Sequence, residues 1–387
     1  MRFAIGAGCI LALSTGWNTA NVGAVAEALA HAYGVGLAVV GLFTTALFVT
    51  HFAMQIPGGR ASDRFGARQS GIVGAGVVAA GNAVALAAAT PALALGTRAL
   101  IGAGTGLSFV AGSAYIRRVG GSPFAQGLFG GIGLAGGGLA LAVVPQLEDE
   151  LGWRAPFVGA LAIAGLAVAL LLASPADRPP SFEPGDEVPP GLLRDRSLYR
   201  LAVLYAASLG LSLAAGNWVV TLLDRNGGVS EGTAGIVGGL TLLLGIVTRP
   251  LGGWILRERP ARIRAAVASS LVAGAAGTAA LAVAAPLPVA VLGSLLVGLA
   301  AGIPFAPAFT GAALARPDAP AAAVGFVNGA ASLVVIAGTP LLGLTFSLPG
   351  DGRIGFVAVA VAWAASLLAL PSSRELGAVA TPAREPR

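Results

Sequence analysis

The chain has 387 residues, 56% hydrophobic and only 10% charged, with a mean hydropathy of +0.84. A water-soluble domain carries about 25% charged residues, so a soluble fold is excluded for most of this chain. The formal net charge is +6, but the basic residues, all Arg, sit in short segments between apolar runs and not on one face, which argues against a nucleic-acid partner. A single Cys9 excludes an intrachain disulfide. Two histidines with one cysteine cannot supply a zinc-type cluster, so neither a metal nor a cofactor is expected. The apolar runs are continuous and do not alternate, which favours helices over a barrel. The 58 glycines let helix backbones approach closely in lipid.

A membrane span needs roughly 20 apolar residues. By that measure twelve spans are expected, at about 3–27, 36–57, 70–89, 92–116, 124–147, 154–174, 199–223, 232–256, 263–285, 287–313, 321–346 and 353–371. The first begins at Arg2 and has no A-x-A-type cleavage site after it, so it reads as a retained helix and not as a signal peptide. The stretch 175–198 is too polar and proline-rich to span and reads as a linker between two six-helix bundles, 1–174 and 199–371. Residues 372–387 form a polar tail.

Placing both termini in the cytoplasm puts 18 arginines in the inside segments and three (Arg154, Arg225, Arg353) outside. That bias fixes the expected orientation. Three short patterns recur in the same order about half a chain apart: Leu13–Asn18 with Leu213–Trp218, Pro57–Gly59 with Pro250–Gly253, and Leu95–Thr97 with Leu292–Ser294. Such spacing points to an internal duplication.

Between the second and third spans lies Gly59-Arg60-Ala61-Ser62-Asp63-Arg64-Phe65-Gly66-Ala67-Arg68. A polar, glycine-punctuated turn is what a two-span hairpin needs at a membrane surface. The spacing G-x-x-x-D-R-x-G-x-R resembles the cytoplasmic loop of major facilitator superfamily transporters. That resemblance implies an all-α membrane fold of twelve helices in two pseudo-symmetric bundles, with Gly59, Asp63, Arg64, Gly66 and Arg68 forming a cytoplasmic gate. The carboxylate of Asp63 would receive the end of a facing helix and nearby arginines. The bland alternative is a solvated basic turn. The matching stretch Gly253–Arg259 has Arg257 where the family places Asp, so no gate role is expected there.

Two arginines fall within spans. Arg98 opens Arg98-Ala99-Leu100-Ile101-Gly102-Ala103-Gly104, which resembles the R-x-x-x-G-x-G pattern of the family's fourth helix. An arginine inside a span costs at least a few kcal/mol unless it finds partners or water. It serves either proton coupling or anion attraction, or it clamps helix carbonyls. Arg249 precedes Pro250 and either snorkels to the inner surface or binds an anion. Here the chain also resembles, more weakly, the nitrate/nitrite porter branch, through Arg249 before Gly252-Gly253 and the glycine run Gly131–Gly138. Leu134 departs from that branch's asparagine, and the second span carries no arginine. The glycine run equally fits close helix packing.

Trp17, Asn18 and Asn21 form a polar patch in the first span, and Asn217 and Trp218 a matching one in the seventh. An amide at that depth must face a cavity or bond a neighbouring helix. His51, whose ordinary pKa near 6.5 suits proton coupling, shares a face with Gln55, and Asn328 is a weaker cavity candidate. No carboxylate sits in mid-span. This lowers the odds of a cationic substrate. The expected function is alternating-access transport of a small solute, leaning to an anion or polar metabolite, by a monomeric multi-pass protein of the cell membrane. A proton or counter-substrate would couple it. The alternatives are a proton-linked drug or metabolite exporter, coupled by His51 or Arg98, and a non-transporting membrane sensor or assembly partner.

Overall fold

The computed structural model describes residues 2–121, 123–177, 194–283, 286–317 and 320–378. Residues 178–193 of the expected linker and 379–387 of the expected tail lie outside the described residues. Every regular element among the described residues is helical. In lipid a peptide group has no water to bond, so a segment must satisfy its own N–H and C=O groups, and only the helix does this within one segment.

In chain order, α1 (Arg2–Ala20) ends in a short 3-10 turn and continues as α2 (Ala26–Tyr33). Gly34, at φ 63, lets the chain reverse into α3 (Leu37–Ala53), which breaks at Met54 before α4 (Gln55–Phe65). Then follow α5 (Ala67–Ala85), α6 (Pro91–Arg118), α7 (Pro123–Val143), the single turn α8 (Glu148–Leu151) and α9 (Ala155–Leu172). The second part opens with α10 (Arg196–Tyr205), a π-helical stretch Ala206–Leu211 and α11 (Ser212–Gly227). Next come α12 (Glu231–Leu243) and α13 (Gly245–Glu258), α14 (Ile263–Ala282), α15 (Leu287–Gly302) and α16 (Phe305–Ala315). The last long elements are α17 (Pro320–Thr345) and α18 (Arg353–Ser366).

Among the described residues, seven helical segments are long and apolar enough to cross a membrane, or eight if α2 and α3, bent by 119° at their junction, count as one with the preceding turn. The expected count of twelve is therefore not confirmed by length and composition. The reasons are local. α1 carries Ser14, Thr15 and Asn18, and α5 carries Arg68, Gln69 and Asn82, so both fall short in hydropathy. α3 stops after 17 residues and α18 after 14. The 49-residue stretch Phe124–Leu172 scores once although two 3-10 turns divide it.

The helices pack through small residues. α7 lies between α1 on one side and α12 and α13 on the other. A methyl on Gly16 of α1 would run into the Gly133 carbonyl, and Gly136 lies against the Leu13 carbonyl. On the other face Gly138 meets Gly239 and Leu243, and Gly131 meets Gly245 and Ile246. The glycine run is thus a packing surface on two sides. With lipid as apolar as any side chain, contact distance and not water expulsion sets the attraction between helices. α3 packs on α6 and on α17 in the same way, with Gly41 against Pro340 and Gly102 against Leu47.

Candidate functional site

The turn around Asp63 is built differently from a loop. α4 stays helical through Phe65, and Gly66 alone, at φ 94, makes the reversal. Gly59 is inside α4, where a methyl in place of its hydrogen would just reach Val110 of α6. Asp63 is half exposed and accepts from Arg118 Nη2 at 2.6 Å, at the end of α6. Arg118 also donates through Nη1 to Ser62 O and to Asp177 Oδ2, each at 2.9 Å. Arg64 points away and lies over the Phe65 ring.

Asp177 follows α9 and is the keystone of this end. Its side chain is 2% exposed. Its two oxygens accept from the Ala67 and Arg68 backbone amides, both at 2.8 Å, so it caps the free N-terminus of α5. Arg68 donates onward to the Leu171 and Leu172 carbonyls. Burial pushes the Asp177 carboxyl up. The Arg68 amide, the Arg118 side chain, the Ala67 amide and the Arg118 charge outweigh it and hold the carboxyl below its ordinary value. Sequence reading missed Asp177. The only signal was a lone acid three residues beyond the end of a span.

Arg98 is fully buried in α6. It donates from Nη2 to Asn18 O at 2.6 Å, from Nη1 to Asn21 Oδ1 at 3.2 Å and from Nε to Phe43 O at 3.3 Å. The amides around it are equally committed. Asn18 donates to Ser14 O and accepts from Asn82, and Asn21 donates to Pro156 O at 3.0 Å. The set joins α1, α3, α5, α6 and α9. Asn82, absent from the sequence reading, is the missing member.

In the second patch Asn217 donates to Thr19 O at 3.2 Å and to Leu213 O at 2.8 Å, with Thr44 Oγ1 3.5 Å from its Oδ1. Trp218 donates to Thr339 O at 2.7 Å and packs on Phe346. Trp17 is buried against Gly159 with its indole N–H unpartnered. His51 is buried, its Nδ1 3.0 Å from Thr105 Oγ1, while Gln55 reaches only the His51 carbonyl and is partly exposed. Asn328 is partly exposed in α17, where its carbonyl accepts from Ser332.

Arg249 does not snorkel. It is 4% exposed, and its Nη1 donates to Gly130 O of α7 at 2.7 Å. The guanidinium lies 4.2 Å over the Phe305 ring of α16 and within hydrogen-bonding reach of the Tyr205 hydroxyl of α10. Its Nε is buried without a partner. Among the described residues no carboxylate pairs with it. A cavity of about 570 Å³ lies elsewhere, between Ser197, Gly311, Leu314, Arg374 and Glu375, and touches none of the expected site residues.

The helical packing, the capped Asp63 turn and the buried arginines sit in a chain whose residues 7–339 match the profile of the Major Facilitator Superfamily. The chain belongs to the Major Facilitator Superfamily. As a superfamily member it is a multi-pass membrane transporter and not an enzyme. Solved structures agree on the fold. The nucleoside transporter NupG, as a D323A mutant, superposes with a TM-score of 0.77 at 15% identity over 95% of this chain and 98% of its own. A second NupG structure gives 0.70 at 15% identity over 95% and 99%. The human organic anion transporter MFSD10 (TETRAN) gives 0.68 at 20% identity over 96% and 99%. At these identities the likeness carries the fold alone. No curated protein matches the chain in sequence comparison.

Proposed function

We propose that this superfamily member is a secondary transporter of a small anion or polar metabolite, with Arg249 as the residue that meets the solute. It crosses the cell membrane twelve times as two six-helix bundles, 1–174 and 199–371, with both termini cytoplasmic. The bundles rock about a midplane site. The observation that carries this reading is the state of Arg249. Among the described residues this buried guanidinium has no carboxylate partner and an Nε without an acceptor, so the Gly130 carbonyl, the Tyr205 hydroxyl and the Phe305 face compensate its charge only in part. Keeping a charge so placed costs several kcal/mol. Such a cost persists where function requires it, and an anionic ligand would offset it. Its bond to Gly130, on the opposite bundle, further supports a place on the seam between the bundles.

Asp63, with Arg118 and Asp177, serves in this reading as the cytoplasmic gate. A proton or counter-substrate couples transport. His51 is the titratable group within the helices closest in type to a proton carrier, and it keeps the proton-linked exporter as a second reading.

The test is uptake into proteoliposomes with a panel of labelled anions, with and without a pH gradient. Saturable uptake of one anion is expected, with KM raised about tenfold (about 1.4 kcal/mol) in Arg249→Lys. Uptake with an unchanged KM in that variant would remove Arg249 from the site.

A further inference from the structure

Two irregular stretches of backbone meet beside Arg249. Between α10 and α11 the helix widens into the π-helical stretch Ala206–Leu211. On the facing element, α15 stops at Gly302 and α16 restarts at Phe305, with Pro304 in the break. Inside a helix the Ala300 carbonyl would accept from the residue four places on. That residue is Pro304, which has no N–H to offer. Ser208, in the middle of the π stretch, supplies the donor instead. Its hydroxyl lies 3.0 Å from Ala300 O and 3.1 Å from Ala301 O.

A hydroxyl inside a helix ordinarily bonds a carbonyl one turn back on its own strand of helix. Thr15, Thr97 and Thr278 all do so here. Ser208 is fully buried and reaches across to a neighbouring helix. The two irregular stretches also share a neighbour. Tyr205 directly precedes the π stretch, and Phe305 directly follows Pro304. The Tyr205 hydroxyl is within hydrogen-bonding reach of Arg249, whose guanidinium lies 4.2 Å over the Phe305 ring. Both rings pack on Phe309, each with its centroid 4.8 Å from the Phe309 centroid.

An α-helix turns about 100° per residue, and a π turn holds one residue more than an α turn. The extra residue therefore sets the rotation of α10 relative to α11. α11 is fixed from its far side, where Asn217 donates to Thr19 O and Trp218 to Thr339 O. With α11 held, relaxing the π stretch to α register would swing Tyr205 by about 100° around the helix and off Arg249. We infer that Ser208 is a positioning residue: by tying the π stretch to the proline-broken end of α15, it sets Tyr205 on Arg249 and so fixes the guanidinium that meets the solute. The inference rests on the role proposed above for Arg249.

The experiment uses the full chain in nanodiscs with 3-fluorotyrosine at its four tyrosines, read by fluorine NMR. The Tyr205 signal is assigned by its loss in Tyr205→Phe. Arg249→Gln marks where that signal lies without the guanidinium. Ser208→Ala should move the Tyr205 signal in the same direction, while Tyr33 and Tyr115, on the other bundle, keep theirs. A Tyr205 signal left at the parent position, or a movement shared equally by Tyr33 and Tyr115, overturns the assignment. Should Ser208→Ala fail to fold, Ser208→Cys, a weak donor of similar size, should move the Tyr205 signal the same way, and no movement there overturns it too. In uptake, Ser208→Ala should raise KM several-fold and add nothing in an Arg249→Gln background, since both act on one group. A KM that depends on Arg249 but not on Ser208 removes the positioning role alone. A Tyr205 signal that moves in Ser208→Ala, with no solute of the panel carried by the parent, supports the positioning role and counts against the carrier.

Discussion

Arg98 and Arg249 are both buried guanidiniums inside helices, and they are satisfied in opposite ways. Arg98 donates to the Asn18 carbonyl on α1, the Phe43 carbonyl on α3 and Asn21 Oδ1 just past α1, and Asn21 is itself anchored to the Pro156 carbonyl of α9. Arg249 has a single backbone acceptor, a tyrosine hydroxyl, a ring face and one N–H with nothing to bond. The first arrangement already offsets the cost of burying a charge, so the residue has nothing left to offer a ligand. The second leaves part of the cost standing. The comparison teaches that burial and residue type do not separate a structural arginine from a functional one. The count of satisfied donors does.

The largest effect should come from breaking the satisfied member. Arg98→Leu leaves Asn21 Oδ1 and the Asn18 and Phe43 carbonyls buried without a donor, at a cost on the order of 3 kcal/mol or more. A sharp fall in Tm of the purified protein, with poor expression, is expected. A normal Tm with lost transport would reassign Arg98 to coupling. Arg249→Gln should do the reverse: transport falls about tenfold or more, equal to about 1.4 kcal/mol or more, while Tm moves far less than in Arg98→Leu. A Tm loss as large as that of Arg98→Leu would erase the contrast.

Asp177 extends the same reasoning to an anion. Because its folded carboxyl is held below the ordinary 3.8, the stability it contributes is complete above that value and is lost as pH falls through the folded pKa. Asp177→Asn should therefore lower Tm at neutral pH, by loss of charged hydrogen bonds each contributing about 1.5–3 kcal/mol. The gap from the parent should close in acid. A gap that widens on acidification would contradict the cap. The smallest effect is expected for Asp63→Asn. This carboxylate is 49% exposed and its bond to Arg118 is screened. Transport should slow a few-fold with surface expression intact, and an unchanged rate would deny Asp63 a gating role.

Much of this was legible in the residues. The membrane class, the helical fold, the Asp63 turn and the two intramembrane arginines all follow from composition and spacing. The paired asparagines were legible as residues that need partners, but not which partners. Asn18 and Asn21 share a helix face with no hint that Asn82, Pro156 and Arg98 close around them. Asp177 was invisible for the same reason. Its value comes from meeting the start of α5, more than a hundred residues away in sequence. The expected twelve spans are not confirmed among the described residues, because α1 and α5 are too polar and α3 and α18 too short to count by length and composition, which an apolar run in the sequence does not reveal.

The sequence by itself determined the solvent of this protein, since no arrangement of so apolar a chain can be dissolved in water. It also determined that its backbone would be helical and that glycine would bring the helices close. Only the tertiary structure decided which buried polar atoms are spent and which are free. Hydrogen-bond partners at long sequence separation are set by how helices cross, and a one-dimensional pattern carries the need for a partner without its address.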